Sequence, residues 1–416
     1  MTKSETLPYD VINYVCLFLI NDLKDVINIY NLNKEHQDNI EIRHLCYNIK
    51  YMTRLNQKII EQKKFRNVEI LFADNNTQIY NINHLKNLFE LYCEDHSSID
   101  QDGISTAKLK TLVMNKNDKI KNLNHMSNTL RKLECRCTSL DQKGISELNL
   151  IYLDMSKNDK IKNLNHMSNT LQKLACQCTS LDQKGISELN LTYLDMKGNS
   201  NINNLNYMKN SLRILKCGYD YEHKKETTID QQGISELRLL YLDANNNKYI
   251  YDVNHMKNTL KFLHCQNNCA IDQNGISDIS LERIFIGYNM RIKNLNHMRK
   301  TLIFVNSYDS GLDQKGINYL SLKVFYVSDN EKINNVNHMK DSLEELYCSG
   351  KCGIDQKGLS DLKILKRIDF GKYFSNLKII NLNHLLNSLE FINSFIINKC
   401  DEINLEKYIS KADDDF

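Results

Sequence analysis

Two columns of chemically capable residues recur along the 416-residue chain. An NxNH phrase places histidines at His84, His125, His166, His255, His297, His338 and His384, with Tyr207 standing in the same column between His166 and His255. In step with it run Cys93, Cys135, Cys176, Cys217, Cys265 and Cys348, with Ser307 and Ser394 completing the column. Imidazole and thiolate are zinc ligands and catalytic nucleophiles or bases, so the columns raise the question of a metal centre or an active site. The spacing argues against both. If each phrase is carried once per two parallel strands, equivalent residues lie about 10 Å apart. Ligands of one zinc must each come within ~2 Å of the ion, and a disulfide needs Cα atoms within roughly 7 Å. The cysteines are therefore expected to be small buried thiols in a reducing compartment, and the pairs Cys135/Cys137 and Cys176/Cys178 lack a second partner at metal-site spacing. GxSxG, P-loop, HExxH and GxGxxG motifs are missing from the sequence, so no enzyme and no cofactor are expected.

The element that positions these columns is the repeat itself. Glycines of a drifting DQxGIS phrase fall at Gly103, Gly144, Gly185, Gly233, Gly275, Gly316 and Gly358, at steps of 41, 41, 48, 42, 41 and 42. A fixed period of this size marks a stacked array. Each period divides into two halves with one apolar skeleton. The first runs Leu150, Leu153, Met155, Asn158, Ile161, Leu164, Met167, and the second Leu171, Leu174, Cys176, Leu181, Ile186, Leu189. One half cannot bury its apolar edge alone, whereas stacked halves can. Position 9 of each first half is Asn76, Asn117, Asn158, Asn199, Asn247, Asn289 and Asn330, replaced near Tyr373. Its amide is expected to satisfy backbone groups where the strand turns.

The LxxLxLxxN/CxL skeleton resembles the leucine-rich repeat over about four-fifths of the chain. The resemblance implies an α/β solenoid, a horseshoe with a curved parallel sheet of about sixteen short repeats. At ~4.8 Å per strand the sheet would be roughly 70 to 75 Å long. The array spans residues 68–397, with an insertion at YDYEHKKETT (Tyr219 to Thr228) expected to loop out at the sheet edge.

The chain ahead of the array does not repeat. Its only proline follows Leu7, and Leu7, Pro8, Val11, Ile12, Val15, Leu19 and Leu23, with Asp10, Asp22, Val26 and Leu32, resemble the F-box pattern of two short helices. The stretch NKEHQDNI, without tryptophan, departs from the usual end of that motif. Residues 1–40 are thus an F-box-like segment and 41–67 a helical linker or cap built on Ile42, Leu45, Cys46, Ile49, Met52, Leu55 and Ile59. Residues 398–416 form a closing cap and acidic tail. By resemblance to F-box/leucine-rich repeat proteins, of the kind found in giant DNA viruses, the first segment would dock a Skp-family adaptor. The array would then present a target protein to a cullin-based ubiquitin ligase. The alternative is a stand-alone repeat scaffold or inhibitor that recruits no ligase.

A net charge of +3, with 54 Lys+Arg against 51 Asp+Glu, gives no basic stripe, so neither nucleic acid nor membrane is expected as a partner. No run of about 18 apolar residues and no signal-peptide shape occur, and a cytoplasmic location, the host cytoplasm if viral, is the expectation. Residues pointing out of the strands are the candidates for target binding: Tyr152/Asp154, Tyr193/Asp195, Tyr241/Asp243, Phe262 and Phe304, with His264 nearby. The 35-residue copies Lys116 to Leu150 and Lys157 to Leu191 differ only at Arg131/Gln172, Glu134/Ala175 and Arg136/Gln177, all on that face. That pattern fits a recently duplicated array varied where a ligand would sit.

Overall fold

In a short parallel rung, only the middle residue of a three-residue strand is forced inward, because successive side chains alternate faces. In the computed structural model the middle residue of every three-residue strand with a described burial pattern is buried, and in Thr111–Val113, Tyr152–Asp154, Lys173–Ala175, Tyr193–Asp195 and Tyr241–Asp243 the third is buried as well. The structure describes residues 34, 42–45, 55–220, 222–371, 379, 381–385 and 387–393. The F-box-like residues Leu7 to Leu32, the stretch around Tyr373 and the closing segment 398–416 lie outside the described residues.

The chain forms two compact units, Met1–Asp195 and Met196–Phe416. The first holds strands β1 (His44–Leu45), β2 (Ile70–Phe72), β3 (Glu90–Tyr92), β4 (Thr111–Val113), β5 (Lys132–Glu134), β6 (Tyr152–Asp154), β7 (Lys173–Ala175) and β8 (Tyr193–Asp195). Each pairs in parallel with the next, without a register slip. The second unit holds β9 (Ile214–Lys216), β10 (Tyr241–Asp243), β11 (Phe262–His264), β12 (Arg283–Phe285), β13 (Phe304–Asn306), β14 (Val324–Tyr326), β15 (Glu345–Tyr347), β16 (Arg367–Asp369) and β17 (Phe391–Asn393), again parallel in sequence order. Central residues such as Leu133, Leu174, Leu263 and Val305 are fully buried.

Among the described residues, the return path from β3 onward is one short 3₁₀ turn in every rung but that between β13 and β14, which returns through plain turns. About twenty residues per rung leave room for one tight turn, at NHM in one half of the repeat and at the glycine phrase in the other. The glycine is obligatory there: a Cβ at Gly144 would collide with the Lys121 carbonyl oxygen, and at Gly185 with that of Lys162. No helix among the described residues is long and apolar enough to cross a membrane.

Residues 42–45 differ from the helical expectation. His44–Leu45 is a strand pairing with β2, and the Arg43 carbonyl accepts from the Glu69 and Ile70 amides at 2.6 and 3.2 Å. The physical reason is the open edge of β2: a parallel edge presents unpaired backbone groups, and Ile42 and Leu45 can bury completely by extending along it. The helical period is met later, by a single turn, α1 (Gln57–Ile60), capped by the Asn56 side chain accepting from the Ile59 amide at 3.1 Å.

The insertion in the second unit loops out as a small hairpin, Asp220 and Lys225 exchanging backbone hydrogen bonds of 3.0 and 3.2 Å. It ends at Thr227, whose hydroxyl donates to the Cys217 carbonyl at 2.8 Å. Thr138 and Thr179 make the same bond to the Cys135 and Cys176 carbonyls, both at 2.9 Å.

Candidate functional site

The polar columns are consumed by the scaffold. Asn289 donates to the Cys265 and Ile271 carbonyls at 2.9 and 3.0 Å, and its Oδ1 accepts from the Arg291 amide at 2.9 Å. Asn117 does the same with Cys93, Ile99 and Lys119. A second ladder, which the sequence reading passed over, comes from the glutamine of the glycine phrase. Gln142 donates to the Asn163 carbonyl at 2.8 Å and accepts from the Lys162 and Asn163 amides at 3.1 and 2.9 Å. Each histidine ring turns its Nε2 to a carbonyl one rung back, His125 to Ile104 at 3.0 Å and His297 to Ile276 at 2.9 Å. A carbonyl only accepts, so the ring must donate from Nε2. Burial pushes the His166, His255, His297 and His338 pKa values below the ordinary 6.5, opposed by those carbonyls.

The cysteine column, Cys93, Cys135, Cys176, Cys217, Cys265 and Cys348, is buried, and burial pushes the Cys93, Cys135, Cys176 and Cys265 thiols up, away from reactivity. For Cys348 the neighbouring Cys352 thiol is the larger cause. All ten cysteines among the described residues are free thiols.

What remains outward is the strand face. Tyr152, Tyr193, Tyr241, Phe262 and Phe304 lie there half-exposed, as the alternation requires. Their acidic neighbours do not. Asp154, Asp195 and Asp243 are only 2%, 4% and 3% exposed, which corrects the expectation of tyrosines beside exposed acids. Asp154 holds the Arg136 guanidinium at 2.6 and 2.7 Å and accepts from the Ser156 amide at 3.1 Å. Asp195 accepts from Gln177 Nε2 at 2.8 Å, and Asp243 pairs with Lys197 at 2.7 Å and accepts from the Asn245 amide at 3.2 Å. These carboxylates bind the backbone turn or a side chain one or two rungs earlier, because a strand of three residues ends beside its own unsatisfied amides.

The same contacts revise the comparison of the two copies. Arg136 and Gln177 differ in type but each donates to the buried aspartate of the next rung. Arg131 donates to the Leu130 and Asn128 carbonyls at 2.8 and 3.0 Å. Of the three differences, only Glu134/Ala175 changes the open face directly, removing the partner that Lys132 holds at 3.0 Å.

In the second unit the face carries a continuous run of rings. Tyr241 meets Phe262 at 6.5 Å and His264 at 5.1 Å between centroids. His264 stacks on Phe285 at 3.9 Å, Phe285 meets Phe304 at 4.8 Å, Phe304 meets Tyr326 at 5.5 Å, and Tyr326 stacks on Tyr347 at 3.8 Å. The run crosses six strands, β10 to β15. Phe285, Tyr326 and Tyr347 were not singled out from the sequence, although reading the fifth position of every rung as one column would have found them. Burial lowers the His264 pKa against the pull of Asp243, so its ring joins the run uncharged at neutral pH.

Successive rungs with one in-register parallel strand each, apolar first and fourth positions, and a buried asparagine ladder in alternate rungs from Asn76 to Asn330 decide the fold class. The fold is a leucine-rich repeat solenoid. No family model matches the chain, and no curated protein matches it in sequence. Among solved structures, this leucine-rich repeat chain is similar to the TLR13–ssRNA13 complex at 17% identity and TM-score 0.47, over 78% of this chain and 55% of that one. It is also similar to the functional domain of InlJ from Listeria monocytogenes, described as including a cysteine ladder, at 19% identity and TM-score 0.40 over 73% of each chain. The chain thus spans a little over half of the first of these.

Proposed function

We propose that this solenoid is a non-catalytic recognition subunit that holds a target protein on its open strand face. Its N-terminal residues Leu7, Pro8, Val11, Ile12, Val15, Leu19 and Leu23 would dock a Skp-family adaptor of a cullin-based ubiquitin ligase. The observation that carries the recognition half is the aromatic run from Tyr241 to Tyr347 on a hydrogen-bonded sheet. Rings held by their neighbours offer large contact area at little entropic cost, which is the chemistry of interface hot spots. The recurring polar groups are spent on the scaffold, so the face is supported for binding and not for bond-making. The ligase half rests on the resemblance of the first 40 residues to the F-box. Its mechanism would be tethering, since holding a target near a charged ubiquitin-conjugating enzyme raises effective concentration without chemistry in this chain.

The stretch NKEHQDNI, which stands without tryptophan where the motif usually closes, favours the second reading, a stand-alone scaffold or inhibitor. A pull-down with a Skp-family adaptor, comparing the wild-type chain with Leu7→Ala/Pro8→Ala, separates the two. Adaptor retained by the wild type and lost by the double variant is the expected result, and no retention by the wild type leaves only the scaffold.

A further inference from the structure

The acids and bases of the second unit's strand face are not evenly matched in their contacts. Glu344 is held by Lys366 at 2.7 Å, Glu282 by Lys261 at 3.9 Å, and Glu345 accepts the Tyr347 hydroxyl at 2.9 Å. Two guanidinium groups on the same face have no hydrogen-bond or ion-pair partner among the described residues. Arg283 is exposed and lies against the Phe304 ring at 5.7 Å. Arg367 is half-buried between two rings, 5.8 Å from the Tyr347 centroid and 4.1 Å from that of Phe391. Its Nε is buried with no partner at all. Glu345 is its register neighbour across the strand pair, yet makes no ion pair with it. The rings fix both cations in place and satisfy none of their N–H groups, which are built for carboxylate or phosphate oxygens.

We infer that the run from Tyr241 to Tyr347 takes an extended acidic peptide segment, with Arg283 and Arg367 each gripping a carboxylate and the rings between them packing its apolar side chains. This deepens the recognition reading above and rests on it. The spacing agrees with such an occupant: β12 and β16 are four strand steps apart, about 19 Å at ~4.8 Å a step, and six residues of extended chain at ~3.3 Å each cover about 20 Å. The rings disfavour the other polyanion. Single-stranded nucleic acid binds by laying bases on bare ring faces, whereas His264 and Phe285, and Tyr326 and Tyr347, already cover each other's.

The test uses the full chain and dye-labelled peptides of twelve residues: Val-Glu-Ser repeated four times, the same with lysine or serine replacing glutamate, and a twelve-nucleotide oligouridylate. In fluorescence anisotropy the glutamate peptide should bind and the lysine peptide should not, and affinity should fall as salt rises. Arg283→Ala/Arg367→Ala should weaken binding at least tenfold, while Arg283→Lys/Arg367→Lys, which keeps the charge and guards against misfolding, should recover part of it. Failure of the glutamate peptide to bind, binding indifferent to peptide charge, or oligouridylate bound more tightly through the same two arginines would each overturn the inference. Should the serine peptide bind as well as the glutamate one and be lost with Phe285→Ala/Tyr326→Ala, acid recognition is wrong but the face still binds protein.

Discussion

The two units share a scaffold and differ on their strand faces. In the first, the face is mostly polar and carries the ion pairs of Lys132 with Glu134, Arg136 with Asp154 and Arg43 with Glu69, while Lys173 stands exposed. Its rings include a stacked pair, Phe72 on Tyr92 at 4.1 Å, and the tyrosines Tyr152 and Tyr193 are separated by Lys173 on the strand between them. In the second, rings touch across six successive strands and two arginines have no anionic partner among the described residues. The rung does not dictate the difference, because the inward positions and the asparagine ladder are alike in both. The outward positions are where one repeat can be made into two surfaces.

The largest expected effect tests the shared part. Asn117→Ala in the first unit and Asn289→Ala in the second each strand two buried carbonyls and an amide, and each should cost about 2–4 kcal/mol in denaturant unfolding. Because an array can lose cooperativity, the midpoint and slope should be read by two probes. A loss in one unit only would mean the scaffolds are not equivalent.

A smaller effect should separate the faces. Asp154→Ala leaves Arg136 and the Ser156 amide without their acceptor and should cost about 1–2 kcal/mol, moderated by the exposure of Arg136. Arg283→Ala in the second unit loses only a ring contact and should stay within about 0.5–1 kcal/mol. Equal costs would show that the unpartnered arginine is a structural group.

The smallest effect is in pH. His166 in the first unit and His255, His297 and His338 in the second have folded pKa values below the unfolded 6.5. Below 6.5 the unfolded chain therefore binds more protons than the folded one, so their stabilisation is complete above that pH and is lost as pH falls through the lowered values. Thermal unfolding followed from pH 7.5 to 5 should show a falling midpoint, and His297→Gln should flatten it slightly. An unchanged slope in that variant would assign the acid sensitivity to other groups.

The fold was legible because a stacked array writes its core as a column. Leu133, Leu153 and Leu174 could be placed inward from spacing alone, and Asn117 and Asn289 could be assigned to the backbone from their chemistry. The site was less legible, for two physical reasons. Period-two alternation says which way Asp154, Asp195 and Asp243 point but not how far a short side chain stands above the sheet, and these three fold down onto the next turn. A ring ladder is a property of neighbouring rungs, so Phe285 and Tyr326 had no signal when each rung was read by itself. Residues 42–45 misled for a related reason: the open edge of β2 is not written in their own periodicity.

Thr227 closes its rung on the Cys217 carbonyl from ten positions downstream, where Thr138 and Thr179 close theirs from three. Stacking order is therefore insensitive to how much chain is spent between those two anchor points. This makes the Tyr219-to-Thr228 hairpin a natural port for cargo: a tag, an epitope or a second binding module spliced there should leave every later strand in register.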